Sequence, residues 1–563
     1  MMKKMIKWQK RKIAMAVAVA LTGIQSMSVS AQTGQATVPV AAPQIEEIMV
    51  MGRLRDAARS IIMERVEQPF AAEVVGIEQI TRAGDSDVAM ALRRVTGLSL
   101  VDGKYIYVRG LGERYSSATL NGAEIPSPEL SRNVIPLDYI PASILESVKV
   151  HKAYSADQPA AFGGGNVNIR TRGTPDELIF NVSVGAGWNT ENSGKGIRNL
   201  GDQGGLPANI MAAINKYQGD IRPANITRFE FPDVSVPTLE QRQAGEQINR
   251  DLMLSLNRDV AIEGETSLNP DTSASVTLGN AFDITNDWSV GAMVNVAIGE
   301  STRNSNQFEQ SFNNPEEDFR NVQRTLSNES LTGAVNLSLN YQDRHKISTN
   351  SYVLRDDEDQ SSIVLGFNPD FQLAGGRQRK TNVARLEKRE LVVNQVTGEH
   401  TIEPYDLDFL TLPAFFDPVT QLDVNWFYSD ARATTEVPNA STVQSTNIVD
   451  PTSQTFLSST VNNGSSAQFA FLNLDDNVES WGGQFDAQFD LGFTNGTVSG
   501  GYNYSEKARE YYGYTANIVM GATNREGLPS QVFSDQNLAD AGNGFFLNMG
   551  SNFGTESYIA GET

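Results

Sequence analysis

From about residue 178 onward, apolar and polar residues alternate with a period of two. In "DWSVGAMVNVAIG", Trp288, Val290, Ala292, Val294, Val296 and Ile298 share one face. Ser289, Gly291, Asn295, Ala297 and Gly299 share the other, with Met293 the bulky exception. "SASVTLGNAFDI" (273–284) precedes it and puts Ala274, Val276, Leu278, Phe282 and Ile284 on one face. Further pairs are "LTGAVNLSLNYQ" (331–342) with "KISTNSYVLR" (346–355), and "WGGQFDAQFDL" (481–491) with "TVSGGYNYS" (497–505). "FNVSVGAGW" (180–188) and "QLDVNWFYS" (421–429) read as single strands. This alternation predicts antiparallel strands with one apolar face. Runs of about ten to twelve residues fit a tilted membrane crossing. Short turns alternate with long polar loops, and Trp188, Trp288, Tyr341, Trp481, Tyr502 and Tyr504 sit near strand ends, where an interfacial girdle needs them. The pattern predicts a transmembrane antiparallel β-barrel; a secreted many-stranded β protein is the alternative. About nine crossings are legible, and the chain stops as a tenth begins. An open edge in lipid leaves backbone groups unsatisfied, so the expectation is a barrel truncated after about nine to ten strands.

Upstream the texture differs. "GDSDVAMALRRVTG" predicts a helix, with Asp85 as N-cap, Val88, Ala91, Leu92 and Val95 on one face, and Gly97 as its stop. "YIYVRG" (105–110), "SATLNG" (117–122) and "ESVKV" (146–150) predict short strands. A small α/β domain therefore precedes the barrel.

At the N-terminus, Lys3, Lys4, Lys7, Lys10, Arg11 and Lys12 precede the apolar run Ile13–Ile24 and the small residues Val29 and Ala31. That pattern predicts a signal peptide over 1–31, cleaved after Ala31; an N-terminal membrane anchor is the alternative. The formal charge is -22; loss of six cations takes the exported chain to about -28, which excludes a nucleic-acid-binding stripe. With no cysteine, neither disulfides nor thiolate metal sites are available. Behind the Pro/Ala-rich linker (32–43) stands "QIEEIMVMGR", a short β-prone string that is an aggregation hazard unless something pairs with it.

"YVRGLGERYSSATLNGAEIP" (107–126) and "IPASILESVKVHKAYSADQPAAFGGGNVNIRTRG" (140–173) resemble the plug signature of the TonB-dependent outer-membrane receptors. The corresponding features are the Arg109-Gly110 turn, the Asn121-Gly122 turn, Glu146 with its strand, and the close through Gly163, Gly164 and Gly165. Asn121 stands where the family more often has Asp, and Lys152 where it usually has Arg. The resemblance implies a TonB box over 44–52, a plug over 53–173 and the N-terminal part of a barrel over 174–563. Glu46, Glu47, Ile48, Met49, Val50 and Met51 would then pair by β-augmentation with a TonB-type periplasmic protein; the first plug strand is the other reading of these residues. Arg109, Glu113, Arg114 and Glu146 are candidates for ion pairs between plug and wall.

Nothing reads as an enzyme. His151, His345 and His400 are scattered and lack metal-ligand spacing, and no hydrolase, zinc-protease or P-loop motif occurs. "GLGERYSS" lacks the third glycine of a dinucleotide fingerprint. "RDDEDQ" (355–360) and "PEED" (315–318) read as solvated loop charge, not calcium loops. Phe308, Phe312, Phe319, Phe367, Phe371, Tyr511, Tyr512 and Tyr514 are placed in exterior loops. No cofactor or metal is expected. The expected function is energy-coupled import of an external ligand across the outer membrane; a signalling or ligand-binding receptor without transport is the alternative.

Overall fold

The computed structural model describes residues 72–558, except 113–114, 156–157, 159–162, 189–195, 200, 202, 259, 261, 267, 408–417 and 522. The expected leader, linker and TonB box, and Glu113 and Arg114, lie outside the described residues.

The first part is a small α/β unit. It contains β1 (Ala72–Gly76), α1 (Ile77–Ala83), α2 (Val88–Leu92), β2 (Leu98–Val101), β3 (Tyr105–Val108), β4 (Ser116–Leu120), β5 (Ala123–Glu124), β6 (Leu145–His151) and β7 (Gly165–Thr171). Five strands form one sheet in the order β1-β6-β7-β4-β5, while β2 and β3 make a separate hairpin. The helix predicted from Asp85 is shorter and starts later. Asp87 caps it by accepting from the Met90 amide at 2.8 Å, and Asp85 instead pairs with Arg94. A carboxylate caps only from the position next to the first helical residue, and here Val88 fixes that position.

The second part comprises β8 (Ile179–Gly187), β9 (Gly196–Asn199), α3 (Ala208–Lys216), α4 (Pro223–Glu230), α5 (Leu239–Ser255), β10 (Ile262–Thr266), β11 (Asp271–Asp283), β12 (Trp288–Gln310), β13 (Phe319–Tyr341), β14 (His345–Phe367), β15 (Arg377–Ile402), β16 (Val419–Val449), β17 (Phe456–Val461), β18 (Gly464–Asp490), β19 (Asn495–Met520), α6 (Pro529–Val532), α7 (Asp535–Ala539) and β20 (Phe546–Tyr558). Ten of these strands form a continuous antiparallel sheet in the order β20-β19-β18-β16-β15-β14-β13-β12-β11-β8, with β17 added beside β16. The sheet is open, and this openness does not support the expected truncation. An open sheet does not set the length of a chain.

Strand length departs from expectation. The strands β12 to β14 are each 23 residues long, and β16 reaches 31. "RDDEDQ" lies inside β14, not in a loop, and Phe308, Phe319, Phe367, Tyr511, Tyr512 and Tyr514 are strand residues. On β12 the extra length, 300–310, is polar on both faces but for Phe308, so it carries no hydrophobic period to read; on β18 and β19 it keeps apolar residues such as Phe469, Phe471 and Ile518.

The register of β12 to β15 runs without a bulge, so alternate residues stay on one face along their whole length. On one face Val294, Val296, Ile298, Val335, Leu337 and Leu339 are exposed. This apolar band is bounded at the short-turn end by a row of rings. Trp288 lies 4.7 Å from Tyr341, which continues through His345 and His400 to Trp426. At its other end the same face turns charged, at Glu300 and Glu329 and at the pairs Arg355–Glu390 and Arg432–Asp475. Trp288 to Ile298 spans about 33 Å along the strand, or about 25 Å of height at a tilt of about 40°, the height of a lipid-facing band.

The opposite face carries the small unit. Ala334, Tyr352, Leu354, Leu391, Val393, Ala431 and Ala433 join its core residues, among them Val88, Leu92, Leu137, Leu145 and Ile169, in one apolar cluster.

The segment between β8 and β11 was not expected to be helical. Ile210, Ala213, Ile214 and Tyr217 recur at helical spacing and are buried. A capping box closes α5: the Thr238 amide donates to Gln241 Oε1 at 2.8 Å and the Gln241 amide to Thr238 Oγ1 at 3.3 Å. With α6 and α7 these helices form a second apolar cluster on Phe469, Phe471, Ala516 and Ile518. The uninterrupted pairing of Ala467–Asp490 with Asn495–Ile518 puts those four on the same face as Trp481, Phe485 and Tyr502. The helical insert therefore covers, beyond the charged row, the face that lipid covers below it.

Candidate functional site at the seam between the small unit and the sheet

The tight turn Asn121-Gly122 begins the seam. Both residues have positive φ, 52° and 87°, which glycine and asparagine tolerate best. Asn121 Nδ2 donates to Thr171 Oγ1 at 2.8 Å and to Gln395 Oε1 of β15 at 2.9 Å. Gln395 Nε2 donates back to the Leu120 carbonyl at 2.9 Å. Neighbouring ties run from Tyr352 Oη to Thr171 Oγ1 at 2.6 Å, from Tyr139 Oη to the Leu354 carbonyl at 2.9 Å, and from Asn336 Nδ2 to the Arg172 carbonyl at 2.6 Å.

A buried ion cluster forms the other end of the seam. Asp476 of β18 is completely buried between Lys507 and Arg509 of β19. Its Oδ2 lies 2.8 Å from Arg509 Nη1 and 3.3 Å from Lys507 Nζ. The same oxygen accepts from the Ser127 amide at 2.9 Å. Arg509 also donates to the carbonyls of Ser127, Glu129 and Arg132, and Thr435 donates to the Pro128 carbonyl. The segment 127–132 is thus held through its backbone by side chains of the sheet. Nearby, Arg389 sits among Glu387, Asp356 and Glu129 at 2.7, 3.6 and 3.9 Å. Charges this dry hold together only while all partners remain.

The remaining sequence-picked residues occupy the small unit itself. Gly163, Gly164 and Gly165 allow close approach: a Cβ at Gly165 would lie 2.6 Å from a Val108 methyl, and one at Gly164 2.9 Å from Leu111. Arg109 and Gly110 form a turn at φ 53° and 80°, and Arg109 is exposed. Glu146 is exposed on β6, where its charge acts on Arg172. Asn121 is a sequence-picked residue that does make the ties described above; the others rest on residues not singled out, among them Gln395, Asp476, Lys507, Arg509 and Arg389. The sequence signal for the cluster is a charge at every alternation in "LDDN" and "EKARE", which puts ions on both faces. Two histidines that are far apart in sequence are register partners: His345 and His400 lie 5.5 Å apart, and Trp426 Nε1 donates to His400 Nε2 at 3.1 Å. His151 is buried in β6. Among the described residues no group of three or more His, Asp or Glu is arranged to hold a metal ion.

Residues 64–170 match the TonB-dependent receptor plug domain. The chain carries a TonB-dependent receptor plug domain. Receptors with this plug are outer-membrane proteins, a place that the apolar band fits, and the small unit is the plug. No curated protein matches the chain. Among solved structures, the receptor is similar to the ferric citrate transporter FecA in its unliganded form, at 11% identity and TM-score 0.30, covering 81% of this chain and 64% of that one. It is similar to a mutant of the ferric enterobactin receptor PfeA from Pseudomonas aeruginosa, at 12% identity and TM-score 0.28, covering 82% and 63%. It is also similar to the siderophore receptor PiuA from Acinetobacter baumannii, at 10% identity and TM-score 0.27, covering 81% and 65%. The chain therefore spans slightly less than two thirds of the length of each.

Proposed function

We propose that the receptor imports an external ligand across the outer membrane, driven by force delivered to the plug from the periplasm. The observation that carries this reading is the seam. Besides its apolar contact with the wall, the plug is held by directional polar ties and by the ion clusters at Asp476 and Arg389, bonds strong against thermal motion but brittle under displacement, because each fails within about an ångström of stretch. Glu46, Glu47, Ile48, Met49, Val50 and Met51 are the handle, which a TonB-type periplasmic protein would grip by β-augmentation through backbone hydrogen bonds. Arg109, Gly110, Asn121, Gly122, Glu146 and Gly163 to Gly165 shape the plug, and Asn121 also fastens it. No catalytic step and no cofactor enter this scheme.

The test is a photo-crosslinking residue in place of Ile48 together with deletion of 44–51, in cells that depend on the receptor for a nutrient. The expected outcome is an adduct with the TonB-type protein from the first and loss of nutrient-dependent growth from the second, at normal receptor levels. Undiminished growth after the deletion would sink energy coupling and favour a passive or purely sensory receptor.

A further inference from the structure

Above the plug, the plug-side face of β12 to β15 has a composition at odds with the rest of this acidic chain. The row Arg303–Leu326–Gln360–Arg385 starts it, since these residues are consecutive register partners. They share the face of Tyr352 and Leu391, both in the plug's apolar cluster. From that row to the strand ends, the face carries Arg303, Arg320, Arg324, Arg377, Arg379 and Arg385. Its only carboxylate is Glu309. Glu309 pairs with Arg320 at 2.5 Å, Glu387 from the row below pairs with Arg385 at 2.5 Å, and Arg377 lies over the Phe371 ring. Among the described residues Arg303, Arg324 and Arg379 form no ion pair. Nε of Arg324 is also buried without a hydrogen-bond partner. Among the arginines of this face stand Ser305, Gln307, Gln360 and Thr381, neutral donors and acceptors, together with the apolar Val322, Leu326, Val364 and Val383. On the outer face the arginines Arg355 and Arg432 each have a carboxylate.

We propose that this wall is a binding surface for a small polyanion, a ligand presenting several carboxylate or phosphate oxygens. The inference rests on the import reading and names the substrate class. Arg303 and Arg324 stand two residues apart in register on adjacent strands, and Arg379 faces Arg320 across Gly366 of β14; guanidinium groups spread in this way match a ligand with oxyanions distributed over its surface. A partly dry cation with no counter-charge is costly, and an arriving anion removes that cost. The helical insert, on the other face at this height, leaves the wall open to the plug side: the amides of Ile197 and Asn199 donate to Thr325 and Ser361, which belong to that other face.

The test is calorimetric titration of the full chain in detergent with tricarballylate, inositol hexakisphosphate and neutral raffinose. The expected result is salt-sensitive binding of at least one anion and none of raffinose; the anion preferred decides between carboxylate and phosphate. Substituting Arg303, Arg324 and Arg379 by Gln should weaken binding by about tenfold per arginine, while Arg432→Gln should leave it unchanged. If the triple variant does not fold, Arg303→Gln alone, at an exposed position, carries the test. Failure of both anions to bind, equal binding of raffinose, or unchanged affinity in the folded variant would overturn the proposal. Binding in detergent needs no energy coupling, so this outcome is independent of the deletion of 44–51.

Discussion

The single most consequential residue of the seam is Asp476. Its charge holds two cations and a plug amide in a site from which water is excluded. Asp476→Asn would leave Lys507 and Arg509 buried without their counter-ion, a loss of about 3–5 kcal/mol. The expected phenotype is protease cleavage within 127–132 in the folded receptor, and a lower melting temperature. Replacing Asp476, Lys507 and Arg509 together by apolar residues of similar size should restore most of that stability. A triple variant as unstable as Asp476→Asn would show that the cluster contributes by shape, not by charge. At this scale the sequence was legible where one residue type has one use. The glycines of 163–165 and the Asn121-Gly122 turn announce themselves, because only such residues fit a close approach or a positive φ. Asp476 was not legible, because half of a Asp-Asp pair looks like any solvated charge until the register gives it a face.

Among the elements, the strands that touch lipid were readable and their extensions were not. Alternation is a signature of unequal faces; Val294, Val296 and Ile298 show it because one side meets hydrocarbon and the other meets the plug. Beyond Glu300 that inequality is lost, and the chain reads as loop although its hydrogen-bonding continues. The insert escaped for a different reason. The helical spacing of Ile210, Ala213, Ile214 and Tyr217 and the Thr238–Gln241 capping box are both present, but they sit inside a stretch whose surroundings signal barrel loops. Height on the strand is therefore the quantity to test. Val296→Arg, in the middle of the band, should cost about 2–4 kcal/mol in folding into lipid vesicles. Phe308→Arg, on the same face and the same strand but past the charged row, should cost less than 1 kcal/mol. Equal costs, read from urea titrations in vesicles, would mean that the band has been placed at the wrong height.

For the whole molecule, the plug and the insert divide the two faces of one sheet between them. The apolar cluster of the plug takes one face at membrane height, and that of the insert takes the other face beyond it. The insert is fastened by its own buried groups: Asn249 donates to the Ile221 and Leu547 carbonyls and accepts from the Leu547 amide, and Arg258 donates to the Phe533 carbonyl. None of these atoms takes part in the seam. Load applied to the plug consequently has no direct lever on the insert, and the wall between them acts as a bulkhead. Pulled from its N-terminus by an atomic-force tip, a membrane-embedded receptor should give up its plug in an early, low-force rupture with the insert still in place. Asp476→Asn should soften that first event alone, and Asn249→Ala should leave it unchanged. Under the import proposed above, the bulkhead would let the plug be displaced from the periplasmic side, again and again, without disturbing the helices packed on the other face of the sheet.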